Sequence, residues 1–499
     1  MKNTPTIKTA AKKLTQNYAE IDNFGILLFY PCFFIVILVS FSNICLALYL
    51  WSGGLLAGTF AIVKGISLYA LPNNGPILGT LYGPVGYLAY LPAILGKTPL
   101  IVSLIAISLS LIFYLSPVFA VLAPQKRSFK LLSVLLFFLV TLDRISLSYN
   151  AFFVHADAPA ICLAAFAAAI IYWNNNRLLW LSAVLSVLSV WTKQTMAPLL
   201  IALPLSVWFF NGKSLFRRYL FQLALSGAVI SCIFAVFFGL RPIFFNIFLV
   251  PYCQCFELTD FAYAALIMIQ ELGLILVFAA IYYLYDFLSS PRQNTHGNNW
   301  LRASRSFIFF IVGIFLMPTS LLAFVKPGGS SNNLGYSFYF ILLSVLSSIT
   351  EKMGQAGRRF AHGIIILCAV LIFSVKQVPN IGHLPVAVAL LEKDPQETAY
   401  RYMKGHPDET YFPWLPVPGI MADKKFYHYA IGLWDMDLAG FKISRSHFQS
   451  YVPIKMKLVA YYPNPFQRYK YMSKYLPDFC ERIEVPELPG WIVFKHKGK

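Results

Sequence analysis

Gly25–Leu48 reads GILLFYPCFFIVILVSFSNICLAL, a run without one charged side chain. As a helix rising about 1.5 Å per residue, it is long enough to cross a hydrocarbon core of about 30 Å. Working outward, no Asp or Glu occurs between Gly25 and Leu142, and the basic residues there are Lys64, Lys97, Lys126, Arg127 and Lys130. Across all 499 residues, 58% are hydrophobic, 12% are charged and the mean hydropathy is +0.64. Soluble chains carry roughly twice that share of charge, so this one is built to dissolve in lipid. Residues 1–24, with Lys2, Lys8, Lys12 and Lys13, are too long and polar for a signal n-region. Gly25–Leu48 is therefore read as an uncleaved anchor.

Candidate spans continue at 99–123, 131–149, 158–173, 178–192, 195–210, 219–240, 263–288, 306–325, 336–350 and 363–378. With the first run this predicts an α-helical polytopic membrane protein of about eleven transmembrane helices. Asn174-Asn175-Asn176-Arg177 and Asn211-Gly212-Lys213 turn two of the hairpins. The net charge of +19 would suggest nucleic acid in a soluble chain. Here the basic residues sit in short runs between apolar segments, and they report topology instead. With the N-terminus inside, the inner loops collect Lys126, Arg127, Lys130, Arg177, Lys213, Arg217, Arg218, Arg292, Arg302, Arg305, Lys352, Arg358 and Arg359. The outer loops keep only Lys64, Lys97, Arg144, Lys193, Arg241 and Lys326. An odd number of spans leaves the C-terminus outside. The eight cysteines show no metal-ligand spacing.

Two outer segments are long. Residues 49–98 contain Gly53-Gly54, Pro72-Asn73-Asn74-Gly75-Pro76 and Gly83-Pro84, with apolar pieces too short to span. Residues 241–262 are similar, with Phe244, Phe245 and Tyr252 as expected interface anchors. Both read as interfacial pieces covered by protein or lining a wet cavity. Residues 377–499 differ in composition and hold most of the acidic groups. Strand-like runs at Glu409–Trp414 and Trp491–Lys495, and helical spacing at Gln396–Lys404, predict a small extracytoplasmic α/β domain there. Residues 25–376 form the membrane domain.

With charge this scarce, each outward polar cluster stands out. His155 and Asp157 precede the fourth span, where a carboxylate either caps the helix or meets a substrate. Lys193 and Gln194 follow the fifth span, and Lys326 opens Lys326-Pro327-Gly328-Gly329-Ser330-Ser331-Asn332-Asn333 after the ninth. Each lysine could simply snorkel. The small residues after Lys326 would expose backbone N–H groups, which with an ammonium make an anion site. Tyr69 and Tyr82 flank the Asn73-Asn74 turn and fit an ordinary aromatic belt equally well.

Taken in order, these clusters resemble the GT-C superfamily of polytopic membrane glycosyltransferases, especially its bacterial branch using lipid-phosphosugars. Gly65, Tyr69, Tyr82, Gly83 and Pro84 match a first-loop pattern, and His155-Ala156-Asp157 stands where that branch has Arg-x-Asp. Thr192–Thr195 and Lys326–Asn332 match two further loop motifs, so the resemblance covers roughly residues 25–375. It implies an enzyme of the inner (plasma) membrane that moves a hexose or pentose from a polyprenyl phosphate to a glycan, lipid or protein acceptor at the outer face. Lys193, Gln194, Lys326, Gly329, Ser330, Asn332, Asn333, Tyr69, Tyr82 and Asn74 are the implied binding residues, with the lipid tail near residues 54–95. The superfamily places its catalytic acid in the first outer loop, yet residues 49–98 contain neither Asp nor Glu. Asp157 then becomes the expected base, with His155 beside it; Asp143, Glu257 and Asp260 are the alternatives. Protonated His155 or a divalent cation would offset repulsion between Asp157 and the phosphate, and no other cofactor is implied. The competing readings are a transporter or flippase of lipid-linked glycans, and a non-catalytic member of the fold.

Reporter fusions after Lys213 and after Gln377 are expected to give opposite signals, cytoplasmic and extracytoplasmic. Identical signals would overturn the orientation.

Overall fold

A computed structural model describes residues 7–48, 52–122, 127–254, 258–289, 304–353, 359–463 and 469–497. Lys2, Lys126, Cys255, Glu257, Arg292, Arg302 and Arg358 lie outside the described residues. The protein is a multi-pass helical membrane protein with a small sheet near its C-terminus. Among the described residues, eight helices are long and apolar enough to cross a membrane: Ile26–Leu48, Pro99–Val121, Gln194–Asn211, Lys213–Phe238, Thr259–Leu284, Phe307–Val325, Ser331–Glu351 and Gly363–Ile381. The shorter apolar helices Asp157–Tyr172 and Asn176–Thr192 fall on two further expected spans.

The third expected span is not one straight helix. Lys130–Asp143 and Ile145–Phe152 meet at an angle of 106°. Arg144 is extended at the break (φ −110°, ψ 120°). Asp143 fixes this corner by pairing with Arg144 at 3.2 Å and Lys376 at 2.6 Å. That employs the Asp143 carboxylate structurally.

Burial sorts the helices. Within the helix Ser331–Glu351, residues 333–350 are all buried in the bundle. Its hydroxyls turn back onto their own helix, as with Ser347 on the Leu343 carbonyl (2.7 Å) and Thr350 on that of Leu346 (2.9 Å). A core helix can thus carry serines without orphaning them. Lys213–Phe238 does the opposite, exposing Phe221, Leu225, Val229, Val236 and Phe237. Such a face is untenable in water and ordinary in lipid.

The first outer segment packs against protein. In the helix Ser52–Val63, Leu55, Leu56, Ala57, Phe60 and Ala61 are buried, which leaves little of it for a lipid tail. Gly83 sits against the Trp191 backbone so closely that a Cβ would lie 1.7 Å from the carbonyl oxygen. In the second outer segment Phe244 and Tyr252 are exposed. Phe245, expected as an interface anchor, is instead buried against Phe441, with ring centroids 4.8 Å apart.

Beyond the last span, β1 (Thr410–Tyr411), β2 (Leu458–Tyr461), β3 (Phe479–Ile483) and β4 (Ile492–His496) form a sheet in the order β1-β2-β4-β3. β1 and β2 are parallel, and the other pairs are antiparallel. The helix Pro395–Gly405 is capped by Asp394, which accepts from the Glu397 N–H at 2.7 Å. The helix Ala430–Leu438 faces the membrane bundle through the first outer segment. There Tyr429 N–H donates to the Ile77 carbonyl (2.8 Å), Ile77 N–H donates to His428 Nδ1 (3.0 Å), and Gly432 abuts Gly79.

Gly83→Ala is expected to lower stability by about 3 kcal/mol, because its methyl meets rigid backbone. Gly227→Ala, where a Cβ meets nothing within 4 Å, is expected to be neutral or to stabilise by up to about 1 kcal/mol. Thermal unfolding of both variants in detergent checks the contrast.

Candidate functional site

Asp157 opens the helix Asp157–Tyr172, but its oxygens do not cap the backbone. They face four side-chain donors from three stretches of the chain. Oδ1 accepts from Lys193 Nζ at 2.5 Å and from the Tyr336 hydroxyl, and Oδ2 accepts from His155 Nδ1–H at 2.7 Å and Asn332 Nδ2 at 2.6 Å. A carboxylate offers about four lone-pair positions, so every one is engaged. Asp157 and Lys193 are both buried, and a buried pair is tolerable only when its remaining polar atoms are also satisfied.

Lys193 is extended (φ −149°, ψ 126°) at the break between the helices Leu179–Thr192 and Leu199–Asn211. Its ammonium also donates to Asn333 Oδ1 at 3.2 Å and lies 5.3 and 5.2 Å from the ring centroids of Tyr82 and Tyr336. Two of its three N–H donors are thereby used and one is left. Gln194 acts as a clamp, its Nε2 donating to the Leu81 and Ile247 carbonyls at 2.8 and 2.9 Å. Both long outer segments are thus tied to the Lys193 break.

The Tyr82 hydroxyl lies 2.7 Å from His155 Nε2. With Nδ1–H given to Asp157, neutral His155 accepts there from Tyr82. Tyr69 donates to the Tyr82 carbonyl at 2.7 Å and supports it from behind.

The loop after Phe307–Val325 folds back on its own helix. Gly328 has φ +81°, and a Cβ on Gly329 would come within 2.3 Å of the Phe324 carbonyl oxygen. Ser330 Oγ donates to Asn332 Oδ1 (2.5 Å), which aims Asn332 Nδ2 at Asp157, while Asn333 Nδ2 holds the Ala323 and Ser330 carbonyls at 3.2 Å each. Lys326 has no side-chain hydrogen bond or ion pair among the described residues. Burial pushes its ammonium down to about 8, against the pull of Asp435 and with the push of Lys193.

His155, Asp157, Lys193, Asn332, Asn333 and Tyr82 therefore meet in one network, with Lys326 electrostatically close. Asn74 stands apart, exposed on a turn beside Asn73, which accepts from the Ser444 N–H at 2.9 Å. Asp260 is exposed in the first turn of Leu258–Ser289. Sequence reading missed Tyr336, which looks like any aromatic of a buried helix. It also missed Asp435, which reaches the site only through docking of the C-terminal unit. No group of three or more His, Cys, Asp or Glu among the described residues could hold a metal ion.

The chain has the GT-C fold. Among solved structures it is similar to ArnT from Cupriavidus metallidurans bound to undecaprenyl phosphate, with a TM-score of 0.56 and 11% identity over 93% of this chain and 97% of that one. The apo state of that protein gives a TM-score of 0.55 and 10% identity over 94% and 97%. No family model matches the chain, and no curated protein matches it in sequence.

Asp157→Asn would leave the Lys193 ammonium buried without a counter-charge. A loss of about 3–5 kcal/mol is expected. Asp157→Asn combined with Lys193→Met should recover much of it, read as a double-mutant cycle of thermal unfolding.

Proposed function

We propose that the protein is a membrane glycosyltransferase that takes a hexose or pentose from a polyprenyl phosphate and transfers it to an acceptor at the outer membrane face. The observation that carries this reading is a pair of unlike lysines at one end of the bundle. Lys193 is held by Asp157 with one donor left over, and Lys326 is unpaired among the described residues. The buried Lys193 ammonium and the half-buried Lys326 ammonium repel each other, and an anion between them relieves that repulsion. The structural likeness to a protein bound to undecaprenyl phosphate supports a lipid phosphate as that anion. In this reading the N-terminus is cytoplasmic, residues 25–376 form the membrane domain and residues 377–499 the extracytoplasmic one.

The chemistry follows from the placement of charge. As the bond from sugar to phosphate breaks, negative charge grows on the leaving phosphate. Fixed donors aimed at that charge supply the largest catalytic contribution. Lys193 and Lys326 are those donors. Asp157, with every lone pair engaged, would take up a proton only by losing one of its partners. Its role here is to hold Lys193 and His155 in place and to supply the counter-charge of Lys193. Gly329 and Ser330 shape the loop that brings Asn332 and Asn333 to this pair.

Lys326→Ala is expected to weaken undecaprenyl phosphate binding roughly 10- to 100-fold, the worth of one charge-assisted hydrogen bond. Only the protonated ammonium binds phosphate, so affinity should fall as pH rises through about 8. Lys326→Arg stays charged and should flatten that fall. Binding isotherms in nanodiscs check both, and unchanged affinity in Lys326→Ala would return Lys326 to a snorkelling role.

A further inference from the structure

The first outer segment lacks an acid, and Asp157 is saturated with donors. Another carboxylate reaches the same place from the C-terminal unit. Asp435 lies in the helix Ala430–Leu438 and is buried. Gln254, within the second outer segment, donates Nε2 to both Oδ1 and the backbone carbonyl of Asp435 at 3.3 Å. The other end of that amide, Oε1, is buried with no hydrogen-bond partner among the described residues. The preceding residue, Trp434, stands over Gly328, two residues from Lys326. No ion pair joins Asp435 to Lys326 among the described residues, although each carries the influence of the other's charge. Tyr82, whose ring faces the Lys193 ammonium, carries the influence of both Asp157 and Asp435. The two carboxylates thus share one neighbourhood, one fully bonded and the other held by a single amide.

We propose that Asp435 is the general base, supplied by the C-terminal unit in place of the acid missing from the first outer segment. This assignment rests on the transferase reading above. The Asp435 carboxylate takes the proton of the acceptor hydroxyl while the acceptor oxygen bonds to the anomeric carbon of the sugar. The bond from that carbon to the phosphate oxygen breaks, and its electron pair leaves on the polyprenyl phosphate between Lys193 and Lys326. The proton passes from Asp435 to water as product departs. Gln254 Oε1, unpartnered among the described residues, is placed to accept a hydrogen bond from a sugar hydroxyl.

Burial raises the Asp435 carboxyl to about 7, against the pull of Lys326 and the Gln254 bond. A base that titrates near the working pH is the efficient kind. The groups facing it are Lys326 after the helix Phe307–Val325, Gln254, and the hydroxyls of Tyr82, Tyr87 and Tyr429. Among these only Lys326, at about 8, titrates close by.

The test uses the full chain in nanodiscs, with undecaprenyl phosphate as the binding probe. Hexose- and pentose-charged undecaprenyl phosphates serve as donors and water supplies the acceptor hydroxyl, scored by release of the lipid phosphate. Asp435→Asn is expected to melt like the wild type and bind undecaprenyl phosphate within about twofold, yet release it about 10²–10⁴-fold more slowly. The wild-type rate should rise with pH along a limb near 7 that Asp435→Asn lacks, with Asp435→Glu restoring part of the rate and the limb. Wild-type release and an unchanged profile in Asp435→Asn would overturn the assignment and leave the transferase reading standing. Loss of undecaprenyl phosphate binding in that variant would make Asp435 a structural support and overturn its role as base. A wild type that neither binds nor turns over these lipids would sink the transferase reading, and the base with it.

Discussion

The ion pair between Lys193 and Asp157 is the constraint on which the rest of this structure depends. Removing two charges from water costs several kcal/mol each, repaid only where geometry and further hydrogen bonds are good. Here repayment comes from His155, Asn332, Asn333 and Tyr336. These residues come from one end of several elements, so satisfying the pair fixes those ends together. Gln194 extends the same constraint to both outer segments. A bundle whose helices face lipid has little hydrophobic force to set its register. A polar knot of this kind supplies that register at the end where it sits.

The knot leaves an imbalance of charge. Asp157 neutralises Lys193, whereas Lys326 has no carboxylate at bonding distance among the described residues. Asp435 approaches from the C-terminal unit without closing an ion pair. Glycine permits that approach, since a Cβ on Gly432 would come within 2.4 Å of the Gly79 backbone nitrogen. In the proposed reading the membrane bundle contributes cations and the C-terminal unit contributes an acid.

The sequence disclosed what depends on local composition. Each expected span falls on helix, because an apolar run of that length has few other ways to satisfy its backbone in lipid. The motif residues His155, Asp157, Lys193 and Asn332 were legible as outward polar groups in a chain nearly free of charge. The bend at Arg144 was not, since the apolar run continues on both sides and Asp143 meets Lys376 only once the chain is folded. Phe245 read as an anchor because hydropathy cannot distinguish lipid from the side of Phe441. Tyr336 and Asp435 were invisible for a related reason. Their roles depend on contacts far along the chain, and no spacing encodes those contacts.

The most direct measurement is a structure of the full chain in nanodiscs with undecaprenyl phosphate. The account predicts phosphate density between Lys193 and Lys326, with both ammonium nitrogens roughly 2.7–3.2 Å from phosphate oxygens and the Asp157 pair intact. A phosphate bound elsewhere, with Lys326 turned away from the network, would contradict it.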